Sequence, residues 1–187
     1  QVTVADTEIT CLTDVGIGTN LTFSVVIAGQ ASAYQACANA ALCKYAKPEI
    51  GDFENSGLPV VDGLGARDAT TEGGQTVRIR GRNFGSPGKS GVEAKYGPCA
   101  TPACTGPKDL IYDAKDCEVA QDNLIKCNTV AGTGKGHYWQ VTLGSQNSAA
   151  YPGDTSYGAP IVIELKGATV KEIATAGADV ITITGYN

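Results

Sequence analysis

Seven cysteines offer the most chemistry in this 187-residue chain: Cys11, Cys37, Cys43, Cys99, Cys104, Cys117 and Cys127. No two are spaced C-x-x-C, and the single histidine is His137. A structural zinc site normally draws on two close pairs of thiolate or imidazole ligands, so zinc is not expected. The same thiols suit disulfides in an oxidising compartment. An odd number leaves one over.

Other candidate sites weaken on inspection. The stretch A-G-T-G-K-G-H, residues 131–137, resembles a phosphate-cradling loop but lacks the G-x-x-x-x-G-K-[ST] spacing. The corresponding stretch V-G-I-G-T-N-L, residues 15–21, has no lysine, and a hairpin turn accounts for both. Arg78, Arg80 and Arg82 fall on one face of a strand. The net charge of −5 and a pI near 4.8 oppose a phosphate-binding surface, so a solvated sheet face or a lateral contact is expected, not nucleic acid. Asp113, Asp116, Glu118 and Asp122 crowd one stretch, as calcium ligands often do. Their spacing fits no EF-hand loop, and a solvated acidic loop is the plainer reading. No serine or cysteine sits in a nucleophile motif with a base, and His137 aligns with Leu21 in an internal copy. The chain is therefore read as no enzyme, with no cofactor and no metal. Asn20-Leu21-Thr22 is an N-glycosylation acceptor in an expected turn, and Thr101-Pro102 is a place for O-linked sugar.

The elements that must carry these residues read as β. Hydrophobic residues make up 42% and charged residues 18%, a globular balance, and 24 glycines suit many tight turns. No apolar run approaches the roughly 20 residues of a membrane helix. The absence of Met and of a leader fits a mature chain or a segment of something larger. T-V-R-I-R-G and V-I-T-I-T-G alternate strictly, as do F-S-V-V-I-A-G and W-Q-V-T-L-G-S. Only residues 31–46 offer a short helix. Short alternating strands between glycine turns predict an all-β sandwich.

Two phrases occur twice. I-T-C-L-T-D-V-G-I-G-T-N-L-T-F-S-V-V-I lies over I-K-C-N-T-V-A-G-T-G-K-G-H-Y-W-Q-V-T-L without a gap, Cys11 falling on Cys127 at an offset of 116 residues. T-E-G-G-Q-T-V-R-I-R-G-R-N lies over T-A-G-A-D-V-I-T-I-T-G-Y-N, Gly73 falling on Gly177 at an offset of 104. The chain thus reads as the back half of a unit, one complete unit, and the front half of another. Self-similarity of this kind indicates an array of small domains.

These residues carry a family resemblance. Y-G-A-P-I-V-I-E-L leading into T-A-G-A-D-V-I-T-I-T-G-Y-N, the copy ending in N-F-G at Asn83-Phe84-Gly85, and I-K-C…G-x-G…W-Q-V-T-L-G-S-Q-N-S resemble IPT/TIG domains. That is the immunoglobulin-like fold of plexins and some transcription factors, also found in large extracellular multi-repeat proteins. The resemblance covers nearly the whole chain, except residues 34–58 and 99–118, which read as insertions. It implies a back half over 1–33, a linker with Cys37 and Cys43 over 34–58, a complete domain over 59–150, and a front half over 151–187. It also implies Cys99–Cys127, with Cys104–Cys117 nested inside; four cysteines allow three pairings, and sequence does not choose. Cys37 and Cys43 are expected to close a local loop. Cys11 matches Cys127, so its partner is expected outside this segment; a free buried thiol is the alternative.

A lone half-sandwich would expose apolar faces and open strand edges. Either the chain is a window on a longer array, or the front half of one copy joins the back half of the next by strand complementation. The expected function is a structural subunit of an extracellular filament or cell-surface scaffold, disulfide-braced and glycosylated, its partners copies of itself and covalent glycans. The alternative is the ectodomain of a plexin-like adhesion or signalling receptor. An intracellular DNA-binding member would need reduced thiols.

Overall fold

The computed structural model describes residues 2–4, 7–37, 43–88, 91–101, 103–106, 108–167, 173 and 175–187. The architecture is all-β, with no helix among the described residues. The first segment holds β1 (Val2–Val4), β2 (Glu8–Ile9), β3 (Thr22–Phe23), β4 (Val26–Ile27), β5 (Gln30–Ala31) and β6 (Gln35–Ala36). The middle holds β7 (Glu49–Ile50), β8 (Val61–Asp62), β9 (Thr76–Arg82), β10 (Glu93–Gly97), β11 (Tyr112–Asp113), β12 (Lys115–Gln121), β13 (Leu124–Asn128), β14 (Lys135–Leu143), β15 (Gln146–Asn147) and β16 (Tyr151–Ser156). A hairpin of β17 (Ile161–Gly167) and β18 (Ile181–Tyr186) follows.

The middle strands form two antiparallel sheets. One runs β12-β13-β9-β7, with β8 also on β9; the other runs β11-β10-β14-β15, with β16 following β15 along the same edge of β14. Alternation decides which side chains meet between them. Val77 and Ile79 of β9, with Val119, Ile125 and Cys127, face Tyr96, Trp139, Val141 and Leu143 in one buried cluster. Each such side chain contributes roughly 1.5–3 kcal/mol by leaving water. Trp139 stacks on Tyr96 at 4.4 Å, and its Nε1–H donates to Thr155 Oγ1 at 2.9 Å, so the largest buried side chain leaves no polar atom unpaired.

The opposite face of β9 carries the arginines. Arg78 Nε and Arg80 Nη1 each donate to Asp62 at 2.6 Å, and Arg82 Nη2 donates to Glu49 at 2.8 Å and lies over the Phe53 ring. They lace β8 and β7 to β9. Gly81 has no room for a side chain, since a Cβ would run into the Glu49 carbonyl oxygen.

Three sequence expectations need correction. The expected helix over 31–46 does not form among the described residues: Ala31 belongs to β5 and Gln35–Ala36 to β6, while 38–42 lie outside the described residues. The disulfides are Cys99–Cys104, Cys117–Cys127 and Cys37–Cys43, and Cys11 is free and exposed. Cys99 follows β10, in the sheet opposite β13, so reaching Cys127 would mean crossing the core. Cys117 instead faces Cys127 across the β12–β13 hairpin, with 4.1 Å between their Cα atoms. The sandwich boundaries also move. β7 pairs with β9, and β16 pairs with β14, so the sandwich spans 49–156, not 59–150. Residues 34–58 are no linker: they contain β6 of the first segment and β7 of the sandwich.

Candidate functional site

The two end segments repeat the pairings of the sandwich. In the sandwich, Tyr138 pairs with Pro152, Trp139 with Tyr151, Thr142 with Asn147 and Leu143 with Gln146. In the first segment, Thr22 pairs with Ala36, Phe23 with Gln35, Val26 with Ala31 and Ile27 with Gln30, each pair 116 residues earlier. Even the side-chain support recurs: Val25 N–H donates to Ser32 Oγ at 2.9 Å, as Val141 N–H does to Ser148 Oγ at 3.1 Å. β1 and β2 form a hairpin where the sandwich has β12 and β13. At the other end, Leu165 pairs with Ile183 and Lys166 with Thr182, as Val61 pairs with Ile79 and Asp62 with Arg78, 104 residues earlier. Asn187 has φ 69° where Asn83 has φ 62°.

A tyrosine joins each segment to the next. Tyr157 N–H donates to Gly134 O at 2.9 Å, and its hydroxyl donates to Val130 O at 2.5 Å. Tyr45 N–H donates to Gly18 O at 2.9 Å, and its hydroxyl donates to Asp14 O at 2.7 Å. The ring of Tyr157 lies against Gly132 and that of Tyr45 against Gly16, where a Cβ would collide. Each tyrosine thus closes one unit and opens the strand that begins the next, from 45 to 157, an offset of 112 residues. Sequence reasoning missed this pair. Its signal was present as Y-A-K-P at 45–48 against Y-G-A-P at 157–160.

Around Tyr157 sits a knot of rings. Its hydroxyl lies 2.5 Å from that of Tyr96, and Tyr112 and His137 meet it edge-on at 5.7 Å between centroids. His137 is buried, and neither ring nitrogen has a hydrogen-bond partner. Burial pushes its pKa below the usual imidazole range, against a weaker opposing pull from the backbone of Gly134, Gly97 and Thr133. Burial likewise holds the Tyr96 and Tyr157 phenols above theirs. These groups stay neutral at physiological pH.

The first segment meets the sandwich at the far end from Tyr157. Gln146 Nε2 donates to Tyr45 O at 3.2 Å, Ile17 packs against the sandwich core, and Gly18 lies against Gly144 so closely that a Cβ on Gly144 would sit 2.6 Å from the Gly18 Cα.

The two end segments leave their apolar faces open. Phe23, Val25, Ile27, Leu165, Ile181 and Ile183 are 41% to 61% exposed, while their counterparts Trp139, Val141, Leu143, Val61, Val77 and Ile79 are 5% or less. In the first segment the space that corresponds to the sandwich interior is an open groove of about 620 Å³, lined by Cys11, Leu12, Leu21, Phe23 and Tyr45.

The remaining candidates scatter. Lys135, Gly136 and His137 of the glycine-rich loop already belong to β14. Asp113 pairs with Lys95, Asp116 accepts from Asn128, and Asp122 accepts from the Gly85 N–H, so the acidic stretch does not converge. Among the described residues no group of three His, Cys, Asp or Glu is placed to hold a metal ion. Asn20 is exposed with φ 55°, where the second copy has Gly136 at φ 66°. Thr101 is described and Pro102 lies outside the described residues. Compared with protein-family models, curated proteins and solved structures, the chain matches none.

Proposed function

We propose that this chain is a structural subunit of an extracellular filament or cell-surface scaffold, built from immunoglobulin-like repeats stacked head to tail. The observation that carries the reading is the recurring tyrosine joint. Tyr45 and Tyr157 make the same two hydrogen bonds and pack on equivalent glycines, so one unit passes to the next by a repeated contact. A repeated contact between repeated units generates a line. Three disulfides suit an oxidising, extracellular setting. No helix among the described residues is long and apolar enough to cross a membrane. Asn20 stands exposed in its turn, open to an N-linked sugar that would shield the strand edges around it.

Electron microscopy of the protein from its source tests the reading. A filament with a regular axial repeat is expected, with a mass loss on enzymatic removal of N-linked glycan that maps to Asn20. Dispersed particles at every concentration would end the filament proposal.

A further inference from the structure

We infer that β2 of one copy pairs antiparallel with β18 of the next, placing Ile9 opposite Ile183 and Cys11 opposite Ile181. This deepens the filament reading and rests on it, since it names the joint between subunits. The sandwich supplies the template. There β13 pairs with β9, Ile125 opposite Ile79 and Cys127 opposite Val77. β2 and Cys11 are the β13 counterpart, and β18 is the β9 counterpart. Each already keeps its other neighbour, β1 beside β2 and β17 beside β18, in a two-stranded sheet whose second edge has no strand beside it among the described residues. Joining the open edges rebuilds the order β1-β2-β18-β17, which matches β12-β13-β9-β8.

The side chains agree with the backbone. Ile181, Ile183 and Leu165 would lie on Phe23, Val25 and Ile27, as Val77, Ile79 and Val61 lie on Trp139, Val141 and Leu143. All six are exposed now and would be covered in the joint. The counterparts of β10 and β11 belong to neither segment, so the joint restores one full sheet and leaves an open edge on the other.

The occupant is a second copy because one chain cannot close on itself. Tyr157 holds the hairpin at the end of the sandwich where β14 begins, beside Val130 and Gly134. The first segment rests at the end where β14 finishes, against Gly144 and Gly85. The nine residues of β14, at about 3.3 Å each, put roughly 30 Å between those ends. The two open faces therefore sit at opposite ends of the sandwich, the placement that head-to-tail growth needs.

A cysteine at 181 reports the register. Opposed residues in an antiparallel ladder have Cα atoms about 4.5–5.5 Å apart, within the roughly 4.4–6.8 Å that a disulfide spans. The full chain carrying Ile181→Cys, treated with oxidised glutathione as the thiol oxidant, is expected to give a ladder of dimers and higher multimers on non-reducing gels. The unchanged chain and Thr182→Cys, which points to the other face, should remain mostly monomeric on the same gels. Ile181 is exposed in the free chain, so the variant keeps its sandwich, as near-UV circular dichroism would verify. Filaments without the ladder, or an equal ladder from Thr182→Cys, would overturn this register and leave the filament reading standing. A ladder from a protein that forms no filaments would support the pairing and count against the filament.

Discussion

Among the described residues, His137 alone buries side-chain nitrogen or oxygen atoms with no hydrogen-bond partner. Two ring nitrogens are buried without partners, and an orphaned buried polar group costs about 1–3 kcal/mol. The first copy carries Leu21 at this place. His137→Leu should therefore stabilise the sandwich by about that amount, read as a higher midpoint in urea. The pH dependence follows from the depressed pKa. Below about pH 6.5, the ordinary imidazole value, the unfolded chain takes up a proton that the folded chain refuses, so stability falls as pH drops. Urea midpoints at pH 7 and pH 5 should diverge more for the unchanged chain than for His137→Leu. An equal divergence would mean that carboxylates alone set the acid sensitivity.

At the scale of elements, the disulfides differ in what they hold. Cys117–Cys127 staples two neighbouring core strands, and its Cys127 sulfur lies within the buried cluster. Cys99–Cys104 closes a short loop outside both sheets. Replacing Cys117 and Cys127 together by Ser should cost about 2–5 kcal/mol, whereas replacing Cys99 and Cys104 should cost clearly less. Thermal unfolding of the two double variants separates the cases, and equal losses would contradict the ranking. This contrast marks where sequence was and was not legible. Strict alternation in T-V-R-I-R-G and W-Q-V-T-L gave the strands and their inward faces, because period two follows from the pleat alone. Cysteine pairing depends on which strands become neighbours, and the resemblance to IPT/TIG domains set Cys99 against Cys127, whose strand lies in the opposite sheet. The expected helix over 31–46 failed for a related reason. Its alanines favour a helix locally, yet residues 30–36 are the first copy of the strand edge at 146–152, and pairing with Thr22, Phe23, Val26 and Ile27 overrides propensity. At the candidate joint, the repeated phrases named the apolar faces, but the tyrosines stayed hidden because the spacing between copies changes there from 116 to 112.

For the molecule as a whole, the arrangement is one closed sandwich between two open half-sandwiches at opposite ends. The closed unit folds around its own core, so it should survive changes that abolish assembly. Ile183→Lys places a charge on the open hairpin face without touching that core. It should leave the urea midpoint of the central unit within about 0.5 kcal/mol of the original, as surface changes do, while preventing multimers in analytical ultracentrifugation. Loss of both together would mean that hairpin and sandwich form one cooperative body.

The glycine-on-glycine seat at Gly18 and Gly144 bears on mechanics. Main chain rests on main chain there, with no side chain between to act as a compressible pad. A seat of that kind transmits a push or a twist from one unit to its neighbour with little play, so a fibre made this way would bend as a stiff rod, not as beads on a string.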